Sequence, residues 1–153
     1  MKRCDEFTLS RAEELFLIGK ALLIGGDFVN AEFDFVREVL PDSKFACKNK
    51  VKAVKCFREA AELGNKEAKI ILGRCYQIGI GTDINYEEAI RLMKEPAEKG
   101  CAVAQAMIGG MYLRGGYGIE KNTIEAVKWL KLAVENGSQH AKSILNKYHS
   151  EEN

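Results

Sequence analysis

Two stretches of this chain repeat one another at a spacing of 36 to 37 residues. Residues 68–100 read AKIILGRCYQIGIGTDINYEEAIRLMKEPAEKG, and residues 104–137 read AQAMIGGMYLRGGYGIEKNTIEAVKWLKLAVENG. Ala68 answers to Ala104, Leu72–Gly73 to Ile108–Gly109, Tyr76 to Tyr112 and Gly79 to Gly115. Further on, Ala89 answers to Ala126 and Gly100 to Gly137. A fixed period of this size narrows the fold sharply. Each repeat is one supersecondary element that cannot bury its apolar face alone, so successive repeats must stack. Such stacks usually present a surface to a partner rather than a pocket to a substrate.

The pattern extends in both directions. VKAVKCFREAAELG (51–64) matches the second half of the repeat, with Ala53 lying 36 before Ala89 and Gly64 lying 36 before Gly100. Ile18–Gly19, Leu22 and Gly25 match the first half. Between Gly25 and Ala53 the chain holds about 18 residues more than the other repeats do. Ala141 and Leu145 begin a fourth repeat. The expected organisation is one domain over 8–150, with flexible tails at 1–7 and 151–153. Its repeats are 12–64 (carrying an insertion at 27–50), 65–100 and 101–137, followed by a half repeat at 138–150.

Each repeat contains two helical patterns and a glycine-rich loop. Ala68, Ile71, Leu72, Cys75 and Tyr76 fall on one face of a helix. Ala89, Ile90, Leu92, Met93 and Ala97 form a second apolar face. Gly79 and Gly81 end the first helix, since glycine takes the left-handed conformation at low cost. Asn85 with Glu88, and Asn122 with Glu125, are expected to cap the second helices as capping boxes, and Asn49 holds the matching place in the first repeat. Gly64, Gly100 and Gly137 close those helices. Gly73 and Gly109 lie inside helices, which predicts a neighbouring helix crossing there, with Tyr76 and Tyr112 filling the space beside it. Trp129 stands where Cys56 and Leu92 stand and reads as core.

These residues resemble the Sel1-like repeat family, relatives of the tetratricopeptide repeats. The matched pattern is A-x-x-x-L-G-x-x-Y-x-x-G-x-G, a polar loop, then A-x-x-W/L-x-x-x-A-x-x-x-G. The match is good over about 50–150 and weak over 12–25. The resemblance implies an all-α, right-handed α-solenoid whose members mostly act as adaptors binding other proteins. Three departures stand out. Pro96 replaces a small residue, which predicts a kink or local irregularity. The Gly115–Gly118 loop is one residue longer than its counterpart. Asn146 replaces the helix glycine of the last half repeat, in a place that suits a cap.

The function classes narrow further on charge and cysteines. A net charge of +1 and the lack of a Lys/Arg cluster argue against nucleic acid. No stretch is apolar enough to span a membrane, and MKRCDEFTLSRAEE lacks the apolar run of a secretory signal, so the expected setting is the cytoplasm. Five cysteines (4, 47, 56, 75 and 101) recur at no repeat period and form no C-x-x-C pair. A cysteine-rich branch of the family, with regularly spaced disulfides, has been linked to β-lactam binding, and that activity does not carry over here. The Gly79-x-Gly81 and Gly116-x-Gly118 loops lack the strand and the Lys-Ser/Thr ending of phosphate loops. His140 and His149 project from different helix faces, and Glu87–Glu88 suits a helix first turn. No catalytic residue, metal ligand or cofactor is therefore expected.

In this family the first helix of each repeat lines the concave surface. The resemblance implies outward positions at Glu13, Phe16 and Lys20, then Glu67, Ile70, Arg74 and Gln77. The third repeat offers Val103, Ala106, Leu113 and Arg114, and the half repeat offers His140, Ser143 and Lys147. The 27–50 insertion carries a helical stripe of Val29, Phe33, Val36 and Leu40 and an acidic series that includes Asp34, Glu38 and Asp42. It is expected either to cover the end of the stack or to contact a partner. The leading expectation is a non-enzymatic module that binds another protein. One version is an immunity protein that neutralises a toxin in bacterial competition. The alternatives are a hydrolase on the same scaffold and an assembly protein acting by homo-oligomerisation.

Overall fold

The structure is a computed structural model and describes residues 10–24 and 50–151. Residues 27–49 of the insertion, Asn49 among them, lie outside the described residues. Seven helices make up nearly all of what is described: α1 (Arg11–Ile24), α2 (Lys50–Glu62), α3 (Lys66–Ile78), α4 (Tyr86–Glu98), α5 (Ala102–Arg114), α6 (Thr123–Glu135) and α7 (Gln139–Glu151). No strand occurs among them, only one isolated antiparallel bridge between Gly116 and Ile119. The fold is the expected all-α repeat. Contacts divide it into two compact units, residues 1–69 and 70–153.

In the first unit α1 packs against α2. A Cβ on Gly19 would lie 2.7 Å from Phe57 Cε1, so the glycine is what lets the two helices approach. Phe57 is fully buried, and its ring lies 6.1 Å from that of Phe16. The same device recurs in the second unit. Gly73 faces Met93 Cγ at 2.7 Å, and Gly109 faces Leu130 Cγ at 2.6 Å. Those partners are 20 and 21 residues apart in sequence, whereas Gly19 and Phe57 are 38 apart. The first repeat therefore pairs its two halves across the inserted residues.

Helix ends explain most of the sequence punctuation. Gly64, Gly100 and Gly137 all have φ near +91°. Each sits in a closing motif in which the following N–H reaches back five residues: Asn65 to Ala60 O, Cys101 to Pro96 O and Ser138 to Ala133 O. Asn85 and Asn122 accept the N–H of Glu88 and Glu125, both at 3.0 Å, as expected for N-caps. The return half of the box is made differently. The Asn85 N–H donates to Tyr76 O at 2.8 Å, and the Asn122 N–H to Tyr112 O at 2.9 Å. The Glu88 carboxylate pairs with Arg91 instead. Each repeat's tyrosine thus packs beside the helix crossing and also offers its carbonyl to the start of the next helix.

Two expectations are corrected, at Asn146 and in degree at Trp129, and α4 runs through Pro96 to Glu98 as one helix. Proline there falls in the last turn, where its missing N–H costs one bond, and its carbonyl still accepts from Cys101. Asn146 does not cap anything. It is exposed inside α7, which reaches Glu151. Trp129 packs on the core but is only half-buried, and the fully buried residue is its neighbour Leu130. The longer loop has a purpose: Tyr117 (φ 49°) and Gly118 (φ 97°) form a tight turn, and Tyr117 O accepts the Tyr86 N–H at 2.9 Å.

Candidate partner-binding face

The first helices α3, α5 and α7 direct their small residues inward. Around α5, Ala104, Ile108 and Met111 join Tyr86, Ala89, Met93 and Ala97 in one buried cluster. Ala106 joins Leu130, Ala133 and Ala141 in a second. The opposite side of these helices carries the positions expected to meet a partner.

Those positions sort into three groups. Arg74, Arg114, His140, Ser143 and Lys147 are exposed, and Val103 is 55% exposed, large for an apolar side chain. Ile70, Gln77 and Leu113 are half-buried, with Leu113 packed against the second cluster. Glu67 is exposed and belongs, like Lys20, to the first compact unit. The Lys20 ammonium lies 5.4 Å from the centre of the Phe16 ring, a cation–π contact. Asp34, Glu38 and Asp42 lie outside the described residues.

Two outward assignments fail, and a third, Glu13, is outward but engaged within the chain. Phe16 is 7% exposed because it fills the space beside Phe57. Ala106 is 3% exposed because α6 and α7 close over it. Glu13 is exposed but committed to a cap. Its carboxylate accepts from the Ser10 N–H at 2.8 Å and from the Ser10 hydroxyl at 2.9 Å, and these bonds hold its pKa below the ordinary value. The S-x-x-E spacing of Ser10 and Glu13 was the available signal.

Two residues matter that repeat reasoning passed over. Gln105 is 3% exposed, a buried polar side chain. Its Nε2 donates to Ala97 O at 2.8 Å, and its Oε1 accepts from Asn136 Nδ2 at 3.0 Å, so it ties the ends of α4 and α6 to α5. Gly110 stands in the column of Arg74 and Lys147, one residue after the helix glycine. A Cβ added there would meet nothing within 4 Å. Its lack of a packing reason could have been suspected only from the mismatch with that column.

Chemically the face offers hydrogen-bond donors and cations. The Cys75 thiol lies beneath Arg74 in sequence but is buried, and burial pushes its pKa up to about 11, against the opposing pull of Arg74. Burial likewise raises the Cys56 thiol. Cys56, Cys75 and Cys101 are free. Among the described residues no group of three His, Cys, Asp or Glu side chains is placed to hold a metal ion, and no helix is long and apolar enough to cross a membrane.

A model of the Sel1 repeat matches residues 48–65, 66–101 and 102–138. Among solved structures, a Sel1 repeat protein from Oxalobacter formigenes is similar at 31% identity over 72% of this chain and 45% of its own length, with a TM-score of 0.54. A protective antigen of uropathogenic Escherichia coli, displaying an SLR fold, is similar at 31% identity over 80% of this chain and 24% of its own, with a TM-score of 0.58. Cysteine-rich protein B of Helicobacter pylori shares the fold at 22% identity, covering 88% of this chain and 93% of that one, with a TM-score of 0.54. The chain spans less than half the length of the first two. No curated protein sequence matches it.

Proposed function

The chain belongs to the Sel1 repeat family, and we propose that it binds a partner protein through the outward face of its first helices, without catalysis. Sel1 repeat proteins are generally protein–protein interaction modules. The observation that carries the reading is the split character of α3, α5 and α7. One side is spent on packing against the second helices, and the other leaves Arg74, Val103, Arg114 and Lys147 exposed. An exposed apolar residue among long cationic ones suits a protein contact better than a small-molecule pocket.

The test is a pull-down with the tagged chain, followed by mass spectrometry and reconstitution of the purified pair. The expected result is one protein bound in fixed stoichiometry and lost in the double variant Arg74→Glu, Arg114→Glu. A partner whose binding survives that variant, or turnover of a small molecule by the chain alone, overturns the reading. The narrower reading, an immunity protein against a bacterial toxin, is supported by family membership only, and a partner without toxic activity removes it. We infer a reducing, cytoplasmic setting, supported by Cys56, Cys75 and Cys101, which are free among the described residues.

A further inference from the structure

We propose that the first-helix face of the second compact unit takes an acidic segment of the partner protein, with a bulky apolar side chain of that segment seated over Gly110. This rests on the protein-binding reading above and names the chemistry of the partner.

Charge is the first support. From Ile70 onward, the outward side of the first helices carries Arg74, Arg114 and Lys147 against a single acid, Glu151, and α5 has no acid at all. The second helices are mixed and lean acidic: α4 alone holds Glu87, Glu88, Glu95 and Glu98 beside Arg91 and Lys94. Pairing sharpens the contrast. On the second-helix side, Arg91 pairs with Glu88 at 2.8 Å, Lys99 with Glu95 at 2.7 Å and Lys128 with Glu125 at 3.7 Å. Arg74, Arg114 and Lys147 make no ion pair among the described residues. Cations without local counter-charges raise the potential over their face and favour an acidic partner.

Gly110 is the second support. Val103, Met107, Gly110 and Arg114 fall at i, i+4, i+7 and i+11, one stripe of α5. The stripe is apolar until it ends in a cation. In its middle stands a glycine that destabilises the helix and, among the described residues, has no neighbour to make room for. Gly19, Gly73 and Gly109 each admit a named side chain of this chain, and Gly110 admits none. An external side chain approaching the helix backbone accounts for it. The apolar centre also favours a protein over a nucleic acid, which would be served by a cation in the Arg74 and Lys147 column.

The test pans a display library of random peptides on the full chain and measures affinities of synthetic copies of the enriched sequences. The expected consensus is rich in Asp and Glu around a Leu, Ile, Phe or Trp. Gly110→Leu weakens binding by about tenfold or more without lowering the melting temperature. Arg74→Glu and Lys147→Glu weaken it severalfold, and affinity falls as salt rises. A neutral or basic consensus, or unchanged affinity in both Gly110→Leu and Arg74→Glu, overturns this inference. If such peptides bind but lose affinity through changes on α6, protein binding stands and this inference falls. If neither panning nor pull-down returns a protein ligand, both fall. Tighter binding of a single-stranded oligonucleotide, or self-association abolished by Gly110→Leu, also overturns it in favour of that occupant.

Discussion

The inner and outer faces of α5 differ most plainly at two adjacent glycines. Gly109 points at Leu130 and at the Ala126 carbonyl, and a Cβ there would lie only 2.6 Å from Leu130 Cγ and 3.1 Å from the carbonyl oxygen. Gly110, one residue on and about 100° around the helix, points at nothing within 4 Å. The first glycine is required by packing, and nothing among the described residues requires the second. The same contrast recurs on α3, where Gly73 and Cys75 are buried and Arg74 between them is exposed. Residue type alone therefore says little about role in this fold. The side of the first helix on which a residue lies says most of it.

The largest effect tests the inner face. Leu130 is fully buried, so Leu130→Ala is expected to destabilise by about 2–5 kcal/mol in denaturant unfolding. Gly109→Ala alone is expected to cost about 1–3 kcal/mol through overpacking. It should cost clearly less in the Leu130→Ala background, because the clashing Cγ is gone. Additive losses in that cycle would break the account of the helix crossing. The Gly73 site should be more forgiving, since Met93 is unbranched and can shift.

Next comes Gln105→Leu, which keeps the volume but removes the two bonds from Gln105 to Ala97 O and Asn136 Nδ2. A loss of about 1–3 kcal/mol is expected, and thermal unfolding followed by circular dichroism reads it. A neutral result would mean that the clamp between the ends of α4 and α6 is ornamental.

A pH experiment sharpens the comparison on α3. The folded Cys75 thiol ionises near 11 and an unperturbed thiol near 9.0, so between those values the unfolded chain has lost a proton the folded chain keeps. Stability should therefore fall as pH rises from about 9 to about 11 and be unaffected by this group below that window. Cys75→Ala removes this part of the slope. The same slope in the variant would show that Cys75 is not the group responsible.

The smallest effect has the opposite sign. Gly110→Ala should stabilise the chain by up to about 1 kcal/mol, because alanine is the better helix former and nothing obstructs it. Destabilisation would mean that Gly110 packs inward after all, and the distinction between the two faces would fail at its clearest point.

Much of this was legible in the sequence. The 36-residue period, the closing glycines and the capping asparagines are local or repetitive signals, and each repeat reinforces the others. The return bonds to Asn85 and Asn122 were not legible. They run from the Asn85 and Asn122 N–H groups to the Tyr76 and Tyr112 carbonyls, nine and ten residues back, and backbone acceptors carry no side-chain signature. The burial of Phe16 and Ala106 was missed for a related reason. Alignment placed them on an outward column, but a neighbouring helix covers that column wherever it packs close enough, as α7 does through Ala141.

The amino-acid sequence by itself determined the helices, their ends and the points where glycine lets them cross, because propensity, capping and periodicity act within a few residues of each site. Only the tertiary structure decided which outward positions stay outward and which cations go without partners. It also decided which glycine has no packing role. Those properties depend on distances between helices separated by many residues, and a one-dimensional pattern does not contain them.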